Sequence, residues 1–132
     1  MVSRDDGDGT PPPLHELEML VMAHLWRAGQ ATVRDTRDAL NAGAARNRAY
    51  TTVLTVMTRL HAKGLLDRRR RGRSDVYLPT LTPREYRDRR AAADVDALVA
   101  RYGDEALVHF ARQVDRLDPV RRRRLRRLAQ GD

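Results

Sequence analysis

Between Ala49 and Leu78 the apolar residues change their spacing once, and that change limits the folds open to this chain. Val53, Val56, Met57 and Leu60 recur at three- and four-residue intervals, the repeat of one face of an α-helix. This predicts a helix over residues 49–63, stopped by Gly64. Beyond the glycine, Val76 and Leu78 stand two apart, as one face of a strand requires. Two short strands are expected over 65–70 and 75–78, around a turn at Gly72. On the helix, Thr51, Thr52, Thr55 and Arg59 lie opposite the apolar stripe, with Thr58 and Ala62 near the edge of that face. β-branched threonines are poor helix formers, so stability alone does not explain three of them within five positions. Their short hydroxyls and methyls do suit a helix that must approach base edges closely.

Two shorter helices are expected upstream. Leu14, Leu17, Val21, Leu25 and Ala28 form one stripe, flanked by Leu20 and His24, and Gly29 stops it. Thr32 offers an N-cap, with Asp35 three positions on, to a helix running through Leu40. A polar connection over 41–48 leads to the Thr-faced helix. Helix, helix, exposed-face helix and basic hairpin, in that order, describe a winged helix-turn-helix.

Charge placement supports that reading. The chain carries a net +8, and from Arg46 to Arg73 nine basic residues face only Asp67. Arginine outnumbers lysine 25 to 1, so a biased composition explains the choice of Arg. It does not explain why acids are missing from one stretch. Such a local excess is the electrostatic footprint of a polyanion-binding face. The expected division of labour has Tyr50, Thr51, Thr52 and Thr55 reading bases. Arg46, Arg48, Arg59, Arg70, Arg71 and Arg73 would hold the backbone of double-stranded DNA. Arg59 has a second reading, as an internal ion-pair partner.

The flanks read differently. Residues 1–13 are Gly, Asp and Pro with little to bury, and are expected to be a disordered tail. The DNA-binding domain is expected over 14–79 and a helical unit over 80–132. Thr82-Pro83-Arg84-Glu85 is a full helix start, opening a helix that carries Tyr86, Val95, Leu98, Val99 and Tyr102 up to Gly103. Asp104 is expected to cap a fifth helix with Leu107, Phe110, Ala111, Val114 and Leu117 on one stripe. Asp118-Pro119 starts a sixth, whose only large apolar residues are Val120, Leu125 and Leu128. Such narrow stripes cannot enclose a core of their own, and aromatics are only 5% of the chain. A homodimer is expected, with Leu98, Leu107, Phe110, Val114, Leu117, Leu125 and Leu128 at the interface.

Other chemistries find little support. There is no cysteine for a disulfide framework or a thiolate metal site. His15, Glu16, Glu18 and His24 share a helix without the zinc-protease spacing, and His15 with Glu18 reads as a surface pair. The two serines, Ser3 and Ser74, have no base beside them, and no glycine-rich phosphate loop follows a strand. A hydrolase is therefore disfavoured, and no cofactor or metal is expected. No apolar run reaches the length of a membrane span, so no membrane partner is expected and the chain reads as cytoplasmic. The arginines from Arg121 to Arg127 read first as a solvated helix face at the dimer edge and second as a DNA-backbone contact. The main rival function is a winged-helix module that binds protein and not DNA, which predicts no salt-dependent DNA affinity.

The segments LHELEMLVMAHLW, AYTTVLTVMTRLHAKGLL, RGRSDVYLP and ALVHFARQV resemble the penicillinase-repressor family (BlaI/MecI type) of bacterial winged-helix regulators, especially its actinobacterial members. The resemblance covers about residues 14–130 at consistent spacing. It implies a mainly α fold with a small β-hairpin wing and an intertwined C-terminal helical dimerisation unit. It implies a repressor dimer that binds palindromic operators through the third helix. In the penicillinase-repressor branch a membrane sensor leads to proteolysis within the dimerisation helices. The matching position is near His109 and Phe110, where this chain has His in place of Asn. A regulatory protease is thus an implied partner. Copper sensing, which uses a C-terminal cysteine cluster in another branch, is excluded by the absence of cysteine.

Overall fold

The computed structural model describes residues 10–11, 13–43 and 47–131. The expected tail lies outside the described residues at 1–9 and 12, and so does Arg46. The described elements are α1 (Glu16–Ala28), α2 (Val33–Asn41), α3 (Tyr50–Ala62), β1 (Leu66–Arg71), β2 (Ser74–Pro79), α4 (Pro83–Tyr102), α5 (Asp104–Asp115) and α6 (Pro119–Gln130). They fall into two compact units, one through Ala91 and one from Ala92. None of the described helices is long and apolar enough to cross a membrane.

The first unit encloses a continuous apolar core. From α1 it takes Val21, Met22 and Leu25, and from α3 Val53, Val56, Met57 and Leu60. The face expected on α3 is the face buried. On α1 the expectation needs correction. Leu14 precedes the helix but, with Leu17, packs against the core, and Val21 and Leu25 are buried as expected; Ala28 is exposed, and Glu18 and Met22 join the buried stripe. A carboxylate in that stripe disguised its true position. Thr32 caps α2 as expected, its hydroxyl accepting from the Asp35 N–H at 3.0 Å.

β1 and β2 pair antiparallel from Leu66 opposite Pro79 to Arg71 opposite Ser74; β1 has the expected length, shifted by one residue, and β2 extends one residue further at each end than expected. Gly72 closes the turn at φ +63°, a left-handed conformation that side chains with a Cβ rarely adopt. Val76 is buried as expected, but Leu78 is only half-buried, and the deepest residue of β2 is Tyr77 between them. Tyr77 exchanges two backbone hydrogen bonds with Ala31 (3.1 and 2.9 Å), so the α1–α2 connection adds a single-residue third strand to the wing. One bridging residue leaves no periodic trace in the sequence.

The first unit continues past the wing. Trp26 Nε1 donates to the Leu81 carbonyl at 2.8 Å, and its ring lies 5.8 Å from that of buried Tyr86. Thr82 and Glu85 form a reciprocal capping box that starts α4 (2.9 and 3.0 Å). Pro11 is buried, and its carbonyl accepts from Arg90 Nη1 at 3.0 Å.

The second unit holds the rest of α4, with α5 and α6. Gly103, at φ +66°, is the N-cap of α5 in place of the expected Asp104, which is the first helical residue, so the helix starts one position earlier than expected. Asp118 caps α6 by accepting from the Arg121 N–H at 2.9 Å. Neither α5 nor α6 contains a buried residue.

Candidate nucleic-acid interface

With Val53, Val56, Met57 and Leu60 turned inward, the opposite face of α3 must meet solvent. Thr51, Thr52, Thr55, Thr58 and Arg59 are all exposed. At 3.6 residues per turn, Thr51, Thr55 and Thr58 share the centre of that face, while Thr52 and Arg59 lie to one side. Thr58 was expected near the edge, and the structure moves it to the middle. The Thr55 hydroxyl donates back to the Thr51 carbonyl at 2.9 Å, which leaves its methyl as the outward group.

A cleft of about 490 Å³ opens on each flank of α3. The first is bounded by Tyr50 and Leu54 of α3, Arg34 at the start of α2, and Arg70 and Arg73 of the hairpin. It brings the expected Tyr50 beside two of the expected wing arginines, and adds Arg34 and Leu54, which periodicity alone did not mark. Tyr50 is half-exposed, with the Arg37 guanidinium 6.0 Å from its ring centroid. The second cleft is bounded by His15 and Leu17 before and within α1, and by Thr52, Thr55 and Arg59. Arg59 has no ion-pair partner among the described residues, so its alternative role inside the fold finds no support.

The wing arginines are not equivalent. Arg70 Nε donates to the Gly72 carbonyl at 3.1 Å, and its Nη1 lies 3.5 Å from Asp75 Oδ1. It therefore braces the turn. Arg71 and Arg73 are exposed on either side of the turn glycine, with no carboxylate in ion-pair range among the described residues.

Two polar devices fix α3 in place. Asn41 closes both ends of its amide on the Arg48 backbone, accepting from N–H at 2.8 Å and donating to C=O at 3.1 Å. This clamp spans the α2–α3 connection and sets where Arg48 and Tyr50 emerge. At the far end of α3, Lys63 Nζ donates to Glu18 Oε2 at 2.6 Å, tying it to α1. Burial of the Glu18 carboxyl opposes ionisation, but Lys63 and the His15 N–H (3.0 Å) outweigh it and hold its pKa below the ordinary 4.5. Glu18 is thus a buried anchor for the exposed-face helix, not half of a surface pair. Both devices join positions far apart in the chain, so only an Asn before the connection and a lone Lys after the helix hinted at them.

Comparison with known proteins agrees with this architecture. The profile of the penicillinase repressor family matches residues 14–131. Two curated relatives from Mycobacterium tuberculosis, strains CDC 1551/Oshkosh and ATCC 25618/H37Rv, are each named transcriptional regulator BlaI. Each is 39% identical over 117 residues, covering 83% of this chain and 80% of the relative. Among solved structures, the DNA-binding domain of the repressor BlaI matches at 25% identity with a TM-score of 0.50, over 58% of this chain and 90% of that one.

Proposed function

The chain belongs to the penicillinase repressor family, and from that premise we propose that it is a DNA-binding transcriptional repressor whose α3 reads an operator in the major groove. The observation that carries the assignment of residues is the solvent-facing threonine surface of α3, set between two clefts edged with arginine. Tyr50, Thr51, Thr52 and Thr55 read bases by hydroxyl and methyl contact. Arg48, Arg59, Arg71 and Arg73 hold phosphates on either side, and Arg70 shapes the wing that presents the last two. The test is a pair of titrations at one salt concentration, on the operator found by footprinting the upstream region and on a scrambled duplex. Thr51→Ala or Thr52→Ala should cost about 1–3 kcal/mol on the operator and leave the scrambled duplex nearly unaffected. Equal losses on both duplexes would remove base reading from these threonines. A wild-type protein with no salt-dependent DNA affinity would favour the protein-binding alternative.

The active species in this proposal is a homodimer. Leu98, Tyr102, Ala106 and Phe110 line an apolar hollow of about 370 Å³ between α4 and α5, and Leu107, Leu125 and Leu128 are exposed nearby in sequence. A two-fold dimer demands an inverted-repeat operator with half-sites about one helical turn apart, or a multiple of it. The peptide bond between His109 and Phe110 lies inside α5. A regulatory protease acting there needs α5 to open first, so relief by proteolysis would follow loosening of the dimer.

A further inference from the structure

α6 carries a charge pattern that the reading of the operator does not use. It holds six arginines and no acid in 12 residues. The two helices before it do not share this bias: α4 mixes five basic with four acidic residues, and α5 has Arg112 against Asp104, Glu105 and Asp115. An arginine-rich coding composition acts on all three helices alike, so it does not account for the missing acids of α6. Helix stability does not account for them either. Arg121 with Arg124, Arg123 with Arg126, Arg124 with Arg127, Arg122 with Arg126 and Arg123 with Arg127 are like-charge pairs at repulsive three- and four-residue spacing. Arg121 and Arg122 also stand near the positive end of the helix dipole.

One arginine has a structural task. Arg122 Nη1 donates to the Asp115 and Leu117 carbonyls (3.1 and 3.3 Å) and so closes the end of α5. Arg123, Arg126 and Arg127 lie on one exposed face at i, i+3 and i+4, with no carboxylate in ion-pair range among the described residues. Leu125 and Leu128 fall to the other side, while Val120 stands one turn before Arg123 on the arginine side. The helix is about 18 Å long at 1.5 Å per residue, enough to follow several phosphates of a duplex that carries one charge per roughly 1.7 Å.

We infer that the Arg123–Arg126–Arg127 face of α6 is a second DNA contact, sequence-independent and directed at the phosphate backbone. This rests on the repressor reading above and extends it. An anionic membrane is the other polyanion such a helix meets. Interfacial helices seat Trp, Phe and Leu beneath their basic face, whereas α6 has no aromatic residue and only three large aliphatic ones. Duplex DNA, which the first unit already engages, is the better fit.

The experiment titrates the full chain and the triple variant R123Q/R126Q/R127Q with a long random duplex over a range of salt concentrations. Gln keeps helix propensity. A lysine triple, R123K/R126K/R127K, keeps the charge. In the glutamine variant the slope of log affinity against log salt should flatten by roughly 2.7 for each bound chain, at about 0.9 per phosphate contact. The lysine variant should keep the wild-type slope, and all three proteins should keep the same ratio of operator to random binding at fixed salt. A wild-type slope in the glutamine variant, with operator binding intact, overturns this inference and leaves the repressor reading standing. So does a glutamine variant whose only loss is binding to vesicles of mixed phosphatidylglycerol and phosphatidylcholine. A wild-type chain that binds neither duplex overturns both readings.

Discussion

α3 and α5 are nearly the same length, 13 and 12 residues, and each carries apolar residues at helical spacing. α3 buries four of its residues and α5 buries none. The difference is not in the pattern but in what the rest of the chain supplies. α3 is met by α1, α2 and the hairpin, which close one core around Leu25, Met57, Leu60 and Tyr77. α5 lies in a unit of 41 residues from Ala92, too short to surround a stripe without help. An amphipathic period tells which face of a helix wants cover. It does not tell whether the cover comes from the same chain.

The largest effect that would break this contrast is a truncation in the first core. Leu60 is fully buried, and Leu60→Ala should lower the unfolding free energy of the first unit by about 2–5 kcal/mol in urea titration. Leu107, half-exposed, is its counterpart, and Leu107→Ala should leave that same transition within about 0.5 kcal/mol. Equal losses would mean that the second unit already has a core of its own.

Next comes the partner chain itself. Phe110→Ala should weaken the dimer by about 2–3 kcal/mol, a rise of roughly 30- to 150-fold in dissociation constant. Sedimentation against concentration reads this directly, and the urea transition of the first unit should not move. A wild-type chain that sediments as a monomer at micromolar concentration would remove the dimer from the proposal.

How much could be read from residues alone follows the same division. The buried face of α3, the Thr32 and Asp118 caps, the Thr82–Glu85 box and the hairpin all rest on local spacing, and they stand where local spacing puts them. What was missed depends on contacts between distant segments. Tyr77 is buried because Ala31 pairs with it, and Glu18 enters the core stripe because Lys63, 45 positions away, neutralises it. Arg34 comes to the wing only through the folding of α2 against β2. Local periodicity holds no record of such meetings. In the candidate site, the threonine face was visible for the local reason, and the Asn41 clamp that orients it was not.

The Glu18–Lys63 pair offers a third, smaller effect, with a sign set by the pKa directions. Glu18 is held below 4.5 in the folded chain, so its contribution is full above pH 4.5 and is lost as pH falls through the lowered value. His24 acts at a higher pH. Burial of its ring, with the Arg27 charge, holds its pKa below 6.5 against the pull of Asp35, and Nε2 is shut from solvent without a hydrogen-bond partner among the described residues. An imidazole kept neutral in the fold loses stability for the folded state once pH drops below 6.5 and the unfolded chain takes up the proton. Stability of the first unit should therefore decline in two stages on acidification, and Glu18→Gln should remove the lower one. Lys63→Met should cost about 1–3 kcal/mol at pH 7, less than for a fully enclosed pair because the Lys63 side chain is 30% exposed. A single acid transition unchanged by Glu18→Gln would show that the pair does not anchor α3.

The smallest effect is the sharpest comparison, because it removes the same kind of contact, an N-cap hydrogen bond, in both regions. Thr32 caps α2 by accepting from the Asp35 N–H at 3.0 Å, and Asp118 caps α6 by accepting from the Arg121 N–H at 2.9 Å. Replacing such a cap with Ala costs about 1 kcal/mol locally. What differs is where that cost is registered. α2 buries Val33 and Thr36 in the core, and the Thr36 hydroxyl donates to the Thr32 carbonyl at 2.9 Å, so α2 cannot fray without opening the first unit. Thr32→Ala should lower the global transition of that unit by nearly the whole amount. α6 buries nothing, and its first turn holds no acid of its own, so the change at Asp118 removes a carboxylate beside Arg121 and Arg122. Asp118→Ala should leave the global transition within about 0.3 kcal/mol and speed amide exchange in α6 several-fold in the monomer, since local opening there need not involve the core. In the proposed dimer that exchange should slow again as concentration rises. Fast exchange that ignores concentration would show that α6 stays uncovered after assembly, and would confine the shared apolar surface to α4 and α5.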